Sequence, residues 1–249
     1  MPVLIVVPAR VGSTRLPNKP LQLLGGAPLV ARVVERAQRV PGVDRLVVAT
    51  DAEAVVAALE PLGVESVMTR RELASGTDRV AAVAARAEFA GYDVVVNIQG
   101  DEPFLPLEAG AGAIDRVQRG DAIGTAAAPL DPALRDDPAR VKVVCDDRGR
   151  ALYFSRHPIP YLRDPESATT TWWQHLGIYA YRRDALLRLA DLPPSPLERA
   201  ESLEQLRALE AGMVIGVTLL DRPAMPGIDT PADLAAAEAR WLDHAEAPR

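Results

Sequence analysis

Short, continuous apolar runs alternate with segments of helical periodicity through the first half of the chain. The runs are rich in valine and isoleucine, which is typical of strands buried on both faces of a sheet. The pattern predicts strands over residues 3–7, 45–49 and 93–98. It predicts helices over residues 28–39, 51–59, 77–90 and 107–119. Strands that alternate with helices favour an α/β fold, a mostly parallel sheet with helices on both faces.

The second half of the chain is less regular. Short apolar runs at hairpin-like spacing predict strands over residues 141–145, 151–155 and 178–181, with a turn at 146–149. Beyond them the pattern predicts a loop over 158–171, a helix within 193–212, a strand over 214–220, a helix over 230–241 and a frayed end from 246. No shift in composition marks a domain boundary, and no internal repeat is evident.

Composition narrows the class of protein. The chain has 249 residues, of which 48% are apolar and 25% charged, as in an ordinary globular protein. A single cysteine, Cys145, excludes an intramolecular disulfide and a multi-cysteine zinc site. No apolar run approaches the ~18 residues of a membrane span, and residues 1–7 lack the basic leader of a signal peptide. We therefore expect a cytoplasmic protein without a membrane span.

Charge is unevenly distributed along the chain. The net charge of −6 disfavours a nucleic-acid surface, because neutralising many phosphates requires a basic face. The first acidic residue is Glu35, although an average stretch of 34 residues would hold about 4.6 acids. This acid-free segment carries Arg10, Arg15, Lys19 and Arg32. The excess of positive charge therefore favours the binding of a small anion by this segment.

The loop after the first predicted strand, PARVGSTRLPNKP over residues 8–20, is the first candidate binding element. Ligands of open α/β sheets bind beyond the carboxyl ends of the strands. The loop supplies Gly12, Ser13 and Thr14 beside its cations but matches neither the dinucleotide glycine pattern nor a Walker P-loop. Side-chain cations would therefore do most of the phosphate binding, unless the segment is only a basic surface loop.

Lys19 is singled out by the chain's use of basic residues. The sequence contains 26 arginines but only two lysines, Lys19 and Lys142. A lysine retained in so arginine-rich a chain favours a position that a guanidinium cannot fill. For Lys19 we predict a cramped site against a phosphate group, with chance as the alternative.

Two aspartates that are distant in sequence are candidate metal ligands. Asp101 lies near the end of the segment DVVVNIQGDEP, where Gly100 would let the backbone approach a ligand closely. Asp229 lies in PGIDTPADL before the last predicted helix. Mg²⁺ takes one or two carboxylates together with substrate phosphates, so the pair predicts a magnesium site. The alternatives are a turn residue for Asp101 and a helix cap for Asp229.

From about residue 3 to residue 234, the chain resembles the 3-deoxy-manno-octulosonate cytidylyltransferases, the CMP-Kdo synthetases of Gram-negative bacteria. Eight segments in order carry the resemblance: PARVGSTRLPNKPL, VVATD, MTRRELASGTDR, VVNIQGDEP, VKVVCDDRGRALYFSRHPIP, QHLGIYAY, SPLERAESLEQLRALEAG and GIDTPADL. Asp78 stands where the family often has glutamate, and residues 161–173 match poorly.

The resemblance implies a fold and a reaction. In such an enzyme the anomeric hydroxyl of 3-deoxy-D-manno-octulosonate (Kdo) attacks the α-phosphorus of CTP, so that CMP-Kdo forms and pyrophosphate leaves. It also implies a Rossmann-like sheet, a homodimer, and a single nucleotidyltransferase domain with a smaller antiparallel or dimerisation portion near residues 130–190. CTP, Kdo and Mg²⁺ are the expected ligands.

The resemblance further assigns roles to individual residues. Arg10, Arg15 and Lys19 would hold the triphosphate and stabilise developing charge, while Asp101 and Asp229 would bind Mg²⁺. The expected contacts of the nucleoside part of CTP are Pro8, Ala9, Arg10, Ser75, Gly76 and Thr77. The expected lining of the sugar-acid pocket is Arg79, Gln99, Arg156, His175, Glu204 and Gln205.

Five of the six sugar-pocket residues have an ordinary alternative: a solvated helix residue (Arg79), a paired charge (Arg156), a hydrogen-bonded strand residue (His175) or common helix polarity (Glu204 and Gln205). Three other functions also fit the pattern. They are a CMP-synthetase for a sialic or amino-Kdo sugar, a nucleotide-sugar glycosyltransferase, and a non-catalytic nucleotide-binding regulator. GDEP is not the DxD motif that a glycosyltransferase typically carries, and the two aspartates with Lys19 disfavour a regulator.

Overall fold

The computed structural model describes residues 1–164 and 171–246, with side chains up to Trp241. The chain divides into two compact units. We call residues 2–107 with 225–249 the N-terminal unit, and Met1 with residues 108–224 the central unit. These boundaries differ from the predicted portion near 130–190, and the single-domain organisation stays a prediction.

The N-terminal unit begins with alternating strands and helices. In chain order these are β1 (Val3–Ala9), β2 (Leu23–Leu24), β3 (Ala27–Pro28), α1 (Leu29–Ala37), β4 (Arg45–Thr50), α2 (Glu53–Leu59), β5 (Glu65–Met68), α3 (Gly76–Ala84) and β6 (Val94–Ile98). The central unit follows with α4 (Leu107–Gln118), β7 (Ile123–Pro129), β8 (Lys142–Cys145), β9 (Ala151–Ser155), β10 (Trp173–Arg182), α5 (Arg183–Asp191), α6 (Pro196–Glu201), α7 (Gln205–Glu210) and β11 (Ile215–Leu219). The last helix, α8 (Pro231–Glu246), belongs to the N-terminal unit.

The strands of the N-terminal unit pair in parallel in the order β5-β4-β1-β6. Val6 of β1 lies opposite Val47 of β4 and Asn97 of β6. All residues of β1 and β6 are buried, which the continuous apolar runs predict for strands covered on both faces. The carboxyl ends of β1 and β6 therefore lie side by side.

The central unit mixes parallel and antiparallel pairing. β7 pairs in parallel with β11 and antiparallel with β10, while β8 and β9 form an antiparallel hairpin. β8 also pairs antiparallel with β10. The predicted class, α/β with mostly parallel strands and a smaller antiparallel portion, is confirmed.

Several predicted elements are confirmed, but others needed correction. The helix within 193–212 is two helices, α6 and α7, separated at Ser202, whose φ of 52° lies in the left-handed region and ends α6. The helix over 77–90 ends at Ala84. The sequence pattern missed β5, β7 and α5 altogether. The predicted loop over 158–171 and the frayed end extend into residues 165–170 and 247–249, which lie outside the described residues.

β7 shows why one of these strands was missed. Its sequence, IGTAAAP, is rich in alanine and glycine, which are poor strand formers. It forms because β10 and β11 pair with it on its two edges. Gly124 is required there, because a Cβ would lie 1.9 Å from the Ala113 carbonyl oxygen of α4. Tertiary pairing and packing thus override the local preference.

Over the described part of the chain, no helix combines the length and apolarity needed to cross a membrane.

Candidate active site

A cavity of about 530 Å³ opens in the N-terminal unit beyond the carboxyl ends of β1 and β6. It is larger than a site for a single ion and lies in the range of small-molecule pockets, about 300–1,000 Å³. Its lining consists of Pro8, Ala9, Arg10, Gly12, Ser13, Thr14, Arg15, Lys19, Pro20, Gly76, Arg79, Gln99, Gly100, Asp101 and Asp229. The predicted phosphate loop, both predicted metal ligands and two predicted sugar contacts therefore share one cavity.

The close approach of two segments shapes the floor of this cavity. Gly100 follows β6, and a Cβ there would lie 2.8 Å from the carbonyl oxygen of Pro8 on β1. Real side chains do not tolerate such a contact, so glycine is needed for β6 to continue beside β1. From the sequence, Gly100 was expected to let the backbone approach a ligand closely. The structure shows a close approach to the protein's own backbone.

A small hydrophobic cluster brings the distant Asp229 to the phosphate loop. Leu16 of the loop and Ile228 are both buried in one cluster with Leu24, Leu29 and Ala237. Burial of such side chains contributes ~1.5–3 kcal/mol each, enough to hold the loop against α8 and its preceding turn. Asp229 follows Ile228 directly and Lys19 comes three residues after Leu16, which explains how residues 210 positions apart meet.

Lys19 lies between the two predicted metal ligands. Its Nζ donates to Oδ2 of Asp101 at 2.5 Å and to Oδ1 of Asp229 at 2.9 Å. The lysine side chain is only 16% exposed. Burial by itself lowers the pKa of Lys19, but the charges and hydrogen bonds of the two aspartates outweigh it and raise the pKa above 10.5. The cramped position predicted for Lys19 is present, with carboxylates as its partners.

Arg15 and Glu102 complete the charge balance around this lysine. Nη2 of Arg15 lies 3.1 Å from the same Oδ1 of Asp229. Burial, together with the negative charges of Asp101 and Asp229, raises the pKa of Glu102 to about 8. Two cations therefore face two carboxylates, beside a third acid whose ionisation is disfavoured.

Further cations and backbone groups surround the rest of the cavity. Nη1 of Arg10 donates to the carbonyl oxygen of Ala74 at 3.3 Å, which places the arginine near the start of α3. Gly76 lines the cavity, whereas the Ser75 hydroxyl accepts from the Asp78 N–H at 3.1 Å in a capping box. Ser75 and Thr77 flank this lining residue. Their predicted contacts with a nucleoside stay predictions.

Arg79 and Gln99 are the two predicted sugar-pocket residues of this unit. Arg79 is 1% exposed, donates to the Thr69 hydroxyl and pairs with Asp51 at 3.3 Å. It is therefore a buried, partnered residue and not the solvated helix residue of the alternative. Gln99 donates through Nε2 to Oδ1 of Asn97 at 3.1 Å, so its carbonyl oxygen and its second amide N–H are left for a ligand.

Arg156, the next predicted sugar-pocket residue, belongs to the central unit. Its guanidinium donates to the backbone carbonyls of Glu201 at 2.7 Å, Pro138 at 2.9 Å and Ser202 at 3.2 Å. A guanidinium has five N–H groups, so two remain for a ligand. Within the described part of the chain, carbonyls hold this guanidinium, and it forms no salt bridge with an acid of the kind that the alternative supposed.

His175, Glu204 and Gln205 also lie in the central unit. Burial lowers the pKa of His175 to about 3, and its Nε2 lies 3.0 Å from the Thr125 hydroxyl. The ring packs against Tyr179 at 5.2 Å between centroids. Burial, with the nearby charge of Glu204, raises the pKa of Tyr179 well above 10. The imidazole is therefore uncharged at neutral pH and can hydrogen-bond a ligand. Gln205, which follows Glu204 in sequence, is buried at the start of α7.

Lys142 and Glu201 are polar residues that the sequence reasoning did not select. Lys142 is fully buried, and its Nζ donates to the carbonyls of Asp137 at 3.1 Å and of Arg156. Glu201 accepts from the Ser155 hydroxyl at 2.6 Å and from the Arg156 N–H at 2.9 Å. The rarity of lysine was a usable signal for Lys142. No pattern distinguished Glu201.

The residues present fit a divalent cation that arrives with a substrate phosphate. Among the residues that the structure describes, no group of three or more His, Cys, Asp or Glu side chains could hold a metal ion. Asp101 and Asp229 nevertheless both aim a carboxylate oxygen at one point, where the Lys19 ammonium now lies. Mg²⁺ commonly binds through one or two carboxylates plus phosphates, which suits this pair.

A parallel sheet with a cationic loop and paired carboxylates beyond its strand ends defines a nucleotide-phosphate site, and comparison with known proteins gives the family. A family model described as cytidylyltransferase matches residues 4–215. The chain is 52% identical over 245 residues to a 3-deoxy-manno-octulosonate cytidylyltransferase of Gemmatimonas aurantiaca, covering 97% of this chain and 95% of the relative. It is 48% identical to the protein of that name from Xanthomonas axonopodis pv. citri, over 95% of each chain.

Solved structures agree with these relatives. The structure of CMP:2-keto-3-deoxy-manno-octonic acid synthetase complexed with CTP is 41% identical, with a TM-score of 0.91 over 98% of this chain and all of that one. A putative glucose-1-phosphate thymidylyltransferase from Bacillus anthracis, in complex with a sucrose, is 17% identical with a TM-score of 0.65 over 97% and 96% of the chains, and shares the fold alone. The chain therefore belongs to the 3-deoxy-manno-octulosonate cytidylyltransferase family.

Proposed function

We propose that this protein transfers CMP from CTP to the anomeric hydroxyl of Kdo and releases pyrophosphate. The observation that carries the proposal is the cluster of Lys19, Asp101 and Asp229 in a cavity at the strand ends of a family member. The relatives named for this activity and the neighbouring enzyme structure with CTP support it. The product would supply activated Kdo for lipopolysaccharide synthesis.

The cationic loop would bind the triphosphate. Arg10, Arg15 and Lys19 line one cavity, and arginine can grip phosphate oxygens through two N–H groups while lysine acts as a compact point charge. Phosphoryl-type transfer needs little covalent help from the protein, so positioning and charge neutralisation dominate. Mg²⁺ held by Asp101 and Asp229 would neutralise phosphate charge when it is bound.

The bond changes are those of a direct displacement at phosphorus. The Kdo hydroxyl oxygen bonds to the α-phosphorus as the bond from that phosphorus to the bridging oxygen of pyrophosphate breaks. The hydroxyl proton passes to solvent water as the new bond forms. The cations of the loop would stabilise the negative charge that develops on the leaving pyrophosphate.

The remaining contacts are assigned by family likeness. The nucleoside of CTP would lie against the end of β1 at Pro8, Ala9 and Arg10 and the start of α3 at Ser75, Gly76 and Thr77. The sugar acid would be recognised by Arg79, Gln99, Arg156, His175, Glu204 and Gln205. Arginine suits a planar carboxylate, and the amide and imidazole groups suit hydroxyls.

We also propose a homodimer that works in the cytoplasm. The dimer rests on the family resemblance. The compartment rests on the substrate, because CTP is a soluble nucleotide of the cytoplasmic pool. Sedimentation of the purified protein at several concentrations would test the dimer.

Pyrophosphate release from CTP and Mg²⁺ is the direct test, measured with Kdo, without an acceptor and with a panel of related acid sugars. We expect release that depends on Kdo, with a much larger kcat/KM for Kdo than for sialic or amino-Kdo sugars. Faster turnover with another acid sugar would identify that sugar as the substrate in place of Kdo. Tight CTP binding without turnover on any acceptor would contradict the enzymatic proposal.

A further inference from the structure

Lys19 occupies the place between Asp101 and Asp229. The two carboxylate oxygens, Oδ2 of Asp101 and Oδ1 of Asp229, lie 2.5 and 2.9 Å from the same ammonium nitrogen. A magnesium ion binds such oxygens at about 2.0–2.1 Å. The ammonium and a bridging metal ion therefore compete for the same oxygen atoms.

Charge balance reinforces this competition. Oδ1 of Asp229 also receives the Arg15 guanidinium at 3.1 Å, so two cations neutralise the two carboxylates. A divalent cation that approached this arrangement would meet a neutral site with a positive charge at its centre. Like charges a few ångströms apart repel by several times the thermal energy even at an effective dielectric constant of about 20.

We infer that Lys19 acts as an internal cation that keeps free divalent metal out of the Asp101–Asp229 pair until a triphosphate draws the lysine away. The inference rests on the proposed role of the two aspartates as magnesium ligands. A nucleotide triphosphate offers Lys19 and Arg15 new anionic partners in the same cavity. When these cations turn to phosphate, both carboxylates become available to the metal.

The coupling has a functional consequence. Metal would be held by the protein only when nucleotide is present, so the carboxylates would not be loaded by free metal in the empty enzyme. By linkage, the factor by which nucleotide strengthens metal binding to the protein equals the factor by which metal strengthens nucleotide binding. Lys19 would thus first exclude the metal ion from the carboxylates and then bind the triphosphate.

The test measures metal binding without any nucleotide, with Mn²⁺ as the probe. Electron paramagnetic resonance of free Mn²⁺, supported by calorimetry, gives the dissociation constant for wild type and for Lys19→Met at neutral pH. We expect Lys19→Met to bind Mn²⁺ at least about tenfold more tightly than wild type, because a positive charge has left the pair. A residue that only binds phosphate would leave this constant unchanged.

Two further variants sharpen the result. Arg10→Met removes a cavity cation that does not contact the carboxylates, and should also leave Mn²⁺ binding weak. Adding Asp101→Asn to Lys19→Met should abolish the gain, which places the metal at this pair. Lys19→Gln serves as a second neutral variant if Lys19→Met loses its circular dichroism spectrum.

Equal or weaker Mn²⁺ binding by a folded Lys19→Met or Lys19→Gln protein would overturn the inference. The assay contains neither CTP nor Kdo, so its failure would leave Kdo-dependent pyrophosphate release untouched. Conversely, a wild-type protein that releases no pyrophosphate would contradict the proposed function whatever the metal titration gives.

Discussion

Lys19 and Lys142, the two lysines of the chain, have opposite surroundings. Lys19 pairs with two carboxylates in a cavity, and they raise its pKa despite partial burial. Lys142 is fully buried in the central unit and donates to two backbone carbonyls, and burial lowers its pKa. The Lys19 ammonium pairs with carboxylates that a charged ligand can replace as its partners. The Lys142 ammonium hydrogen-bonds backbone carbonyls.

The contrast separates a reactive arrangement from a structural one. Charged groups that balance one another beside an open cavity can exchange partners when a charged ligand enters. An ammonium held by carbonyls inside a protein has no such exchange available, and its loss leaves buried acceptors without donors. We therefore expect changes near Lys19 to affect turnover and changes near Lys142 and its neighbours to affect stability.

The largest effect is expected from Asp101→Asn in the cavity. The change removes a charge that faces Lys19 and, by proposal, the metal, so kcat should fall about 10³-fold, as for other losses of transition-state charge stabilisation. The free energy of unfolding should change by less than about 1 kcal/mol, since the pair is partly exposed. Pyrophosphate release and urea denaturation measure the two quantities.

The exposed Asp221→Asn is the matched control and should keep wild-type turnover. A kcat for Asp101→Asn within tenfold of wild type would remove Asp101 from the proposed machinery.

The second prediction concerns the pH dependence of stability that His175 causes in the central unit. Its pKa in the folded protein is about 3, against about 6.5 when unfolded, so the unfolded state binds the extra proton between these values. Stability is therefore lost as the pH falls from about 6.5 towards 3. Between pH 7.5 and 4.5, the lowered pKa of His175 should reduce the free energy of unfolding by about 2.5 kcal/mol.

Urea denaturation of wild type and His175→Gln across this pH range measures the difference. The free energy of unfolding of the variant should depend less steeply on pH, because glutamine keeps a hydrogen-bonding group but takes up no proton. His157→Gln, at an exposed histidine of the same unit, is the matched control. Parallel curves for wild type and His175→Gln would contradict a buried, neutral imidazole.

The smallest of the three effects is expected for Lys142→Met. Methionine has a similar length but removes the ammonium that donates to the Arg156 carbonyl and leaves the Asp137 carbonyl with the Arg140 N–H as its remaining donor. The free energy of unfolding should therefore fall by about 2 kcal/mol. Chemical denaturation at pH 7 measures this change. Arg148→Met, at an exposed turn of the same unit, should change stability by less than about 0.5 kcal/mol.

If Lys142→Met were as stable as wild type while its turnover collapsed, the comparison of the two lysines would be reversed. Lys142 would then belong to the chemistry and not to the framework.

Much of the fold follows from local pattern. Buried strands such as β1 and β6 are visible as continuous apolar runs, because every residue in them faces a covered side of the sheet. The helix α5 was missed although Ala185, Leu186 and Leu189 have helical spacing. β7 could not be found in this way, since its alanines and glycine take their conformation from the neighbouring strands.

For the candidate site, the sequence alone determined which residues carry the chemistry: an acid-free loop with three cations, two aspartates with strand-end or helix-start positions, and a rare lysine. Those signals are local, because they depend on residue type and on distance along the chain. Only the tertiary structure decided that Lys19 lies between Asp101 and Asp229, and that Arg156 is held by backbone carbonyls. Contacts of this kind depend on hydrophobic burial elsewhere, here of Leu16 with Ile228, which no spacing between charged residues encodes.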